Sequence, residues 1–160
     1  MESGIEVSRR SSRIAAIIIA AALVGWCGYF TAPACADGGQ GSRALARGRR
    51  DGIAGHYRHA MRRFRQAAVK GNGEAMCDIG ILYEHGEGVP QDYAKARPWF
   101  RMAAENGNGN AMCSMGILYN HGDGVPRNKD EALRWLRRAE LAGGQAAVLA
   151  RKDISLIKGR

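Results

Sequence analysis

From residue 73 onward the apolar positions follow two periods at once: within short runs they lie three or four residues apart, and the runs return every 36 residues. Ala75, Ile79, Leu82 and Tyr83 share one helical face, which predicts a helix over about 73–85 with Asn72 as its N-cap and Gly86 as its stop. Beyond Pro90, the face Ala96, Trp99, Phe100 and Ala103 predicts a second helix that starts behind Asp92 and ends near Asn106 and Gly107. Ala75-Met76-Cys77 then returns as Ala111-Met112-Cys113, and Gly80-Ile81-Leu82-Tyr83 as Gly116-Ile117-Leu118-Tyr119. Gly86, Gly88, Val89, Pro90, Trp99, Ala103 and Gly107 recur at the same offset. The copy predicts two more helices over 109–143, with Asn128 and Glu131 forming a variant of the capping box. Pro98, sixth in its helix, predicts a bend that its counterpart Arg134 does not share. Gly80 and Gly116 lie inside helices, where each costs about 1 kcal/mol relative to Ala, so a close approach of the paired helix is expected there.

The pattern decays at both ends. Tyr57, Ala60, Phe64, Ala67 and Ala68 precede Tyr93, Ala96, Phe100, Ala103 and Ala104 by one period, so 51–70 reads as a second helix whose first helix is degraded. Residues 37–42 read as a flexible lead, and 43–70 as a degenerate, basic N-terminal repeat. At the other end Ala147, Ala150, Ile154 and Ile157 keep an apolar stripe, which predicts a capping helix within the repeat region 71–160.

These residues resemble the Sel1-like repeat: an Ala, a Gly within the first helix, a Tyr, a Gly-x-Gly-Val-Pro turn, an aromatic pair and Ala-Ala-x-x-Gly, over 75–107 and again over 111–143. The resemblance implies an all-α fold, a short alpha-alpha superhelix related to tetratricopeptide arrays, with two full repeats and degenerate terminal helices. Five or six helices are expected. It also implies a protein-protein interaction scaffold, with an alternative class left open: a hydrolase of beta-lactam or peptidoglycan-type compounds, as in some cysteine-rich relatives. Those relatives pair cysteines within one repeat, and each repeat here has a single cysteine, Cys77 or Cys113.

Composition fits one folded domain: 160 residues, 46% hydrophobic, 24% charged. The first 36 residues have a secretory layout, with Arg9, Arg10 and Arg13 before the apolar run Ile14 to Phe30 and the small-residue end Ala34-Cys35-Ala36. Cleavage after Ala36 and a periplasmic or secreted location are expected. The alternative is a membrane anchor through residues 14–30. In an oxidising compartment Cys77 and Cys113 can pair only if their Cα atoms approach within about 7 Å, whereas packed neighbouring helices lie about 8 to 10 Å apart. Free thiols are therefore expected.

The net charge of +9 is segmented. Residues 43–70 hold nine basic side chains against Asp51, 71–126 three against seven acidic ones, and 127–160 nine against four. Such a layout suits an acidic partner or an anionic envelope surface meeting a basic face at Arg58, Arg62, Arg63 and Arg65. Export argues against nucleic acid. His85-Gly86-Glu87 and His121-Gly122-Asp123 offer two ligands per turn, too few to close a metal shell, so neither a metal nor another cofactor is expected. No nucleophile motif or glycine-rich phosphate loop follows the apolar segment, and the protein reads as a non-enzyme.

In solenoids of the implied type the first helices line a concave groove. The residues here would be Glu74, Cys77, Ile81 and Glu84 in one repeat and Asn110, Cys113, Ile117 and Asn120 in the next. Cys77, Ile81, Cys113 and Ile117 would then floor a site for an extended peptide or a helix. Equally open is that these four pack against the adjacent hairpin.

Overall fold

The computed structural model describes residues 38–159, so the secretory layout read in the first 36 residues lies outside the described part. Seven helices are described: α1 (Gly38–Ile53), α2 (Tyr57–Ala68), α3 (Gly73–His85), α4 (Tyr93–Glu105), α5 (Gly109–His121), α6 (Lys129–Ala142) and α7 (Gly144–Lys158). They form three hairpins, α1/α2, α3/α4 and α5/α6, and a seventh helix packed on both α5 and α6.

Local chemistry sets the boundaries. The side chains of Asn72, Asp92, Asn108 and Asn128 accept hydrogen bonds from the backbone N–H three residues on, at 2.9 to 3.0 Å. A capping oxygen of this kind satisfies a donor that the first helical turn leaves open. The reciprocal half of the box at Asn128 is not made. The Asn128 N–H donates to the Tyr119 carbonyl at 2.8 Å, and the Glu131 carboxylate accepts from Arg134 at 2.9 Å. Gly86 and Gly122 end α3 and α5 in the left-handed region. The second glycine of each turn serves the stack: a side chain on Gly88 or Gly124 would strike Tyr57 or Tyr93, at the start of the preceding hairpin's second helix.

The core follows the period. Ala60, Ala96 and Ala132 are fully buried, and Phe64, Phe100 and Leu136 stand in equivalent places on α2, α4 and α6. Facing each of these large side chains is a glycine. A β-carbon on Gly48, Gly80 or Gly116 would fall 2.5, 2.5 or 2.7 Å from Phe64, Phe100 or Leu136. Two turns earlier in each first helix, Gly41, Gly73 and Gly109 approach Lys70, Asn106 and Ala142 in the same register.

Gly48 corrects the reading of the N-terminal end. The first helix of the basic repeat is present as α1, and seven helices replace the five or six expected. Gly48 precedes Phe64 by 16 residues, whereas Gly80 precedes Phe100 and Gly116 precedes Leu136 by 20. The shorter connection shifts α1 out of the 36-residue register, which hid it. The flexible lead is likewise replaced by helix from Gly38. Gly41 packs on Lys70, and the Lys70 ammonium donates to Gln40 at 2.7 Å, which ties this stretch to the end of α2. At Pro98, α4 continues as one helix, with Pro98 and Ala94 both on the solvent side.

Two glycines test the packing by opposite signs. Gly80→Ala should destabilise the protein by about 1–3 kcal/mol, because the added methyl must displace the buried Phe100 ring. Gly52→Ala, with no atom near its β-carbon, should stabilise by about 0.5–1 kcal/mol through helix propensity. Urea unfolding of both variants reads the signs, and two shifts of the same sign would refute the close-packing account. In the same assay Pro98→Arg, the residue type of the next repeat, should raise stability by about 1–3 kcal/mol as the lost helical hydrogen bond returns.

Candidate functional site

The first helices of the three hairpins, together with α7, leave one face of each free of second-helix packing. These faces line a trough of about 1310 Å³ to which α2 and α4 contribute no residue. Its floor is built in rows, one residue from each first helix, with α7 adding a residue to one of them. Leu45, Cys77, Cys113 and Leu149 form one row, and Arg49, Ile81 and Ile117 the next. Residues four apart stack along a helix, so each first helix adds one side chain to each row.

Six of the eight groove residues expected from sequence line this trough: Glu74, Cys77, Ile81, Asn110, Cys113 and Ile117. Glu84 and Asn120 do not. They are half-buried at the far ends of α3 and α5, where their carbonyls accept from Gln91 and Arg127, each at 2.8 Å, and so hold the turn. The four proposed floor residues divide. Cys77 and Cys113 are 4% and 5% exposed and belong to the core, the Cys113 thiol donating to the Ala146 carbonyl of α7 at 3.5 Å. Ile81 is half-buried, and Ile117 is 36% exposed and open to the trough.

Several lining residues escaped the sequence reading. Leu45 and Arg49 come from α1, whose register was hidden, and Leu149 extends the cysteine row by one further period. Asn106, Asn108, Ser114 and Gln145 add hydrogen-bonding groups to the wall. Arg49 closes one end of the trough, donating to Asp78 at 2.9 Å and pairing with Glu74 at 3.0 Å. Burial pushes the Asp78 carboxyl above its ordinary range, against the pull of Arg49.

The thiols are held in their protonated form. Burial, with the Asp78 charge beside it, pushes Cys77 up to about 12, and burial with Asp153 pushes Cys113 up to about 11. A nucleophilic cysteine needs the opposite shift. Both cysteines are free.

The basic side chains separate. Arg58, Arg62 and Arg65 share one face of α2, whereas Arg63 turns toward α1 and binds Asp51 at 2.6 Å. The two histidine turns stay apart, and the His121 imidazole stands 3.6 Å from Asp123. Among the described residues no group of three or more His, Cys, Asp or Glu is placed to hold a metal ion. Among them, too, no helix is long and apolar enough to cross a membrane.

Stacked helical hairpins with a trough along their first helices define an α-solenoid repeat protein. The Sel1 repeat description matches residues 73–108 and 109–144, one unit running from α3 to the cap of α5 and the next from α5 to the start of α7. The chain carries two Sel1 repeats. It is similar to the crystal structure of a Sel1 repeat protein from Oxalobacter formigenes, with a TM-score of 0.58 and 32% identity over 61% of this chain and 40% of that one. A protective antigen of uropathogenic Escherichia coli with a Sel1-like-repeat fold matches with a TM-score of 0.60 and 34% identity, over 65% of this chain and 23% of that one. This chain thus spans less than half the length of either. Cysteine-rich protein B of Helicobacter pylori shares the fold, with a TM-score of 0.56 at 19% identity over 68% of this chain and 86% of that one. No curated protein matches the chain.

Thiol chemistry checks the geometry of the row. At pH 8 in the folded protein, Cys77 and Cys113 should resist Ellman's reagent, and both should react on denaturation. Rapid labelling of either in the native state, read by peptide mass, would contradict their burial.

Proposed function

We propose that the protein is an exported scaffold whose trough holds a segment of another protein in the cell envelope. The observation that carries this reading is the continuous floor across four helices, apolar at Ile81, Ile117 and Leu149 and walled by amide and hydroxyl side chains. Apolar side chains supply contact area, while Asn106, Asn108, Asn110 and Gln145 supply donors and acceptors for a peptide backbone. The protonated thiols leave the trough without an activated nucleophile, which favours binding over chemistry.

Export rests on the sequence: a basic segment, an apolar run and the ending Ala34-Cys35-Ala36. That one structural relative is described as a protective antigen is consistent with an exported protein. The partner is a protein or peptide recognised as an extended segment or a helix.

The reading predicts that photoreactive residues placed at Ile81 and Ile117 of the chain in its own cells capture the same polypeptide. Ile117→Asp should weaken binding of that polypeptide by about tenfold or more, since a charge would stand where an apolar anchor is buried. Its thermal midpoint should change little, because Ile117 is open to the trough. Capture from a probe at Arg62 but from neither isoleucine would refute the trough as the docking site.

A further inference from the structure

The first hairpin carries guanidinium groups that no carboxylate pairs among the described residues. Arg63 is matched by Asp51, and Arg49 by Glu74 and Asp78. Arg58, Arg62 and Arg65 are exposed on α2, a helix with no acidic residue in its sequence. Their spacing of four and three residues sets them in one row along the helix. Among the described residues Arg65 donates to a neutral acceptor, the Tyr83 hydroxyl at 3.2 Å. The row borders a crevice of about 440 Å³ that also includes the buried Met61 and ends at Val69, a residue 89% exposed.

We propose that this face of α2 docks on an anionic phospholipid surface, with Arg58, Arg62 and Arg65 on the headgroup phosphates and Val69 dipping toward the acyl boundary. Guanidinium groups bind phosphate oxygens through paired N–H donors. A row of like charges with no interleaved acid complements a uniformly negative plane, and the exposed Val69 at its end is an apolar side chain able to enter the headgroup boundary. A folded protein partner is ordinarily gripped through several apolar or aromatic anchors, and this crevice offers Val69 as its one exposed apolar side chain. The proposal does not rest on the trough, which includes no residue of α2 and stays open when α2 is covered.

The test uses the full chain with a photoreactive residue at Val69, mixed with vesicles of phosphatidylglycerol and phosphatidylethanolamine or of phosphatidylcholine alone. A probe at the exposed Arg137 of α6 is the control for the apolar N-terminal run, which would bring every position near lipid alike. Lipid adducts at Val69 should form on the anionic vesicles in at least about fivefold excess over both the zwitterionic vesicles and the Arg137 probe. Each arginine near an anionic leaflet is worth about fivefold in binding, so Arg58→Gln alone should cost about that much and R58Q/R62Q/R65Q about a hundredfold. The single variant keeps the test open even if the triple variant fails to fold, and far-UV circular dichroism reports which case holds. Adducts equal on the two vesicle types, adducts unchanged by Arg58→Gln, or preferential capture of an added polyglutamate peptide would each overturn the proposal, the last in favour of an acidic protein.

Discussion

The structure depends on one steric contact made three times: a first helix that lacks a side chain where its second helix brings a bulky one. Gly48 against Phe64, Gly80 against Phe100 and Gly116 against Leu136 let the backbones close around buried side chains. A glycine in a helix costs propensity, and the return is dispersion contact along the whole hairpin, because the interior packs at crystal-like density only if the helices can approach. The turns apply the same device between hairpins, where Gly88 and Gly124 let the loop rest on Tyr57 and Tyr93.

That closure decides which faces remain for function. Once each first helix has spent its glycine face on its partner, the opposite residues line up across α1, α3, α5 and α7 as the rows of the trough. The cysteines of these rows are drawn into the core, where burial keeps them protonated, and the isoleucines and amides remain at the opening. Charge is partitioned as well. Acidic residues meet Arg49 at the edge of the trough, while the guanidinium groups of Arg58, Arg62 and Arg65 on α2 lie on the second-helix side. One short array thereby offers two surfaces of different chemistry that share no helix.

Much of this was legible in the chain. Four of the seven helix spans follow from apolar spacing, caps and glycine stops, because those signals are local and repeat twice at one offset. The first helix was not legible, since a connection four residues shorter moved Gly48 and Leu45 out of the period. Glu84 and Asn120 share a helical face with Ile81 and Ile117 by spacing, yet stand one turn beyond the end of the trough, next to the turns that bond their backbone carbonyls. Arg63 looked like its neighbours until Asp51, twelve residues earlier, was folded beside it. The capping box at Asn128 failed for a related reason, the N–H it required having been taken by Tyr119.

The amino-acid order by itself determined the helices of the two full repeats, their period and the glycines Gly80 and Gly116 at which those helices must meet, because backbone propensity and periodicity act over a few residues. Only the tertiary structure decided which side chains of a given face are sealed and which stay open. Burial is a property of neighbours brought from tens of residues away: Cys113 is closed by Ala146, Ile117 has no such cover, and α1 enters the trough only because Phe64 has a glycine to close on.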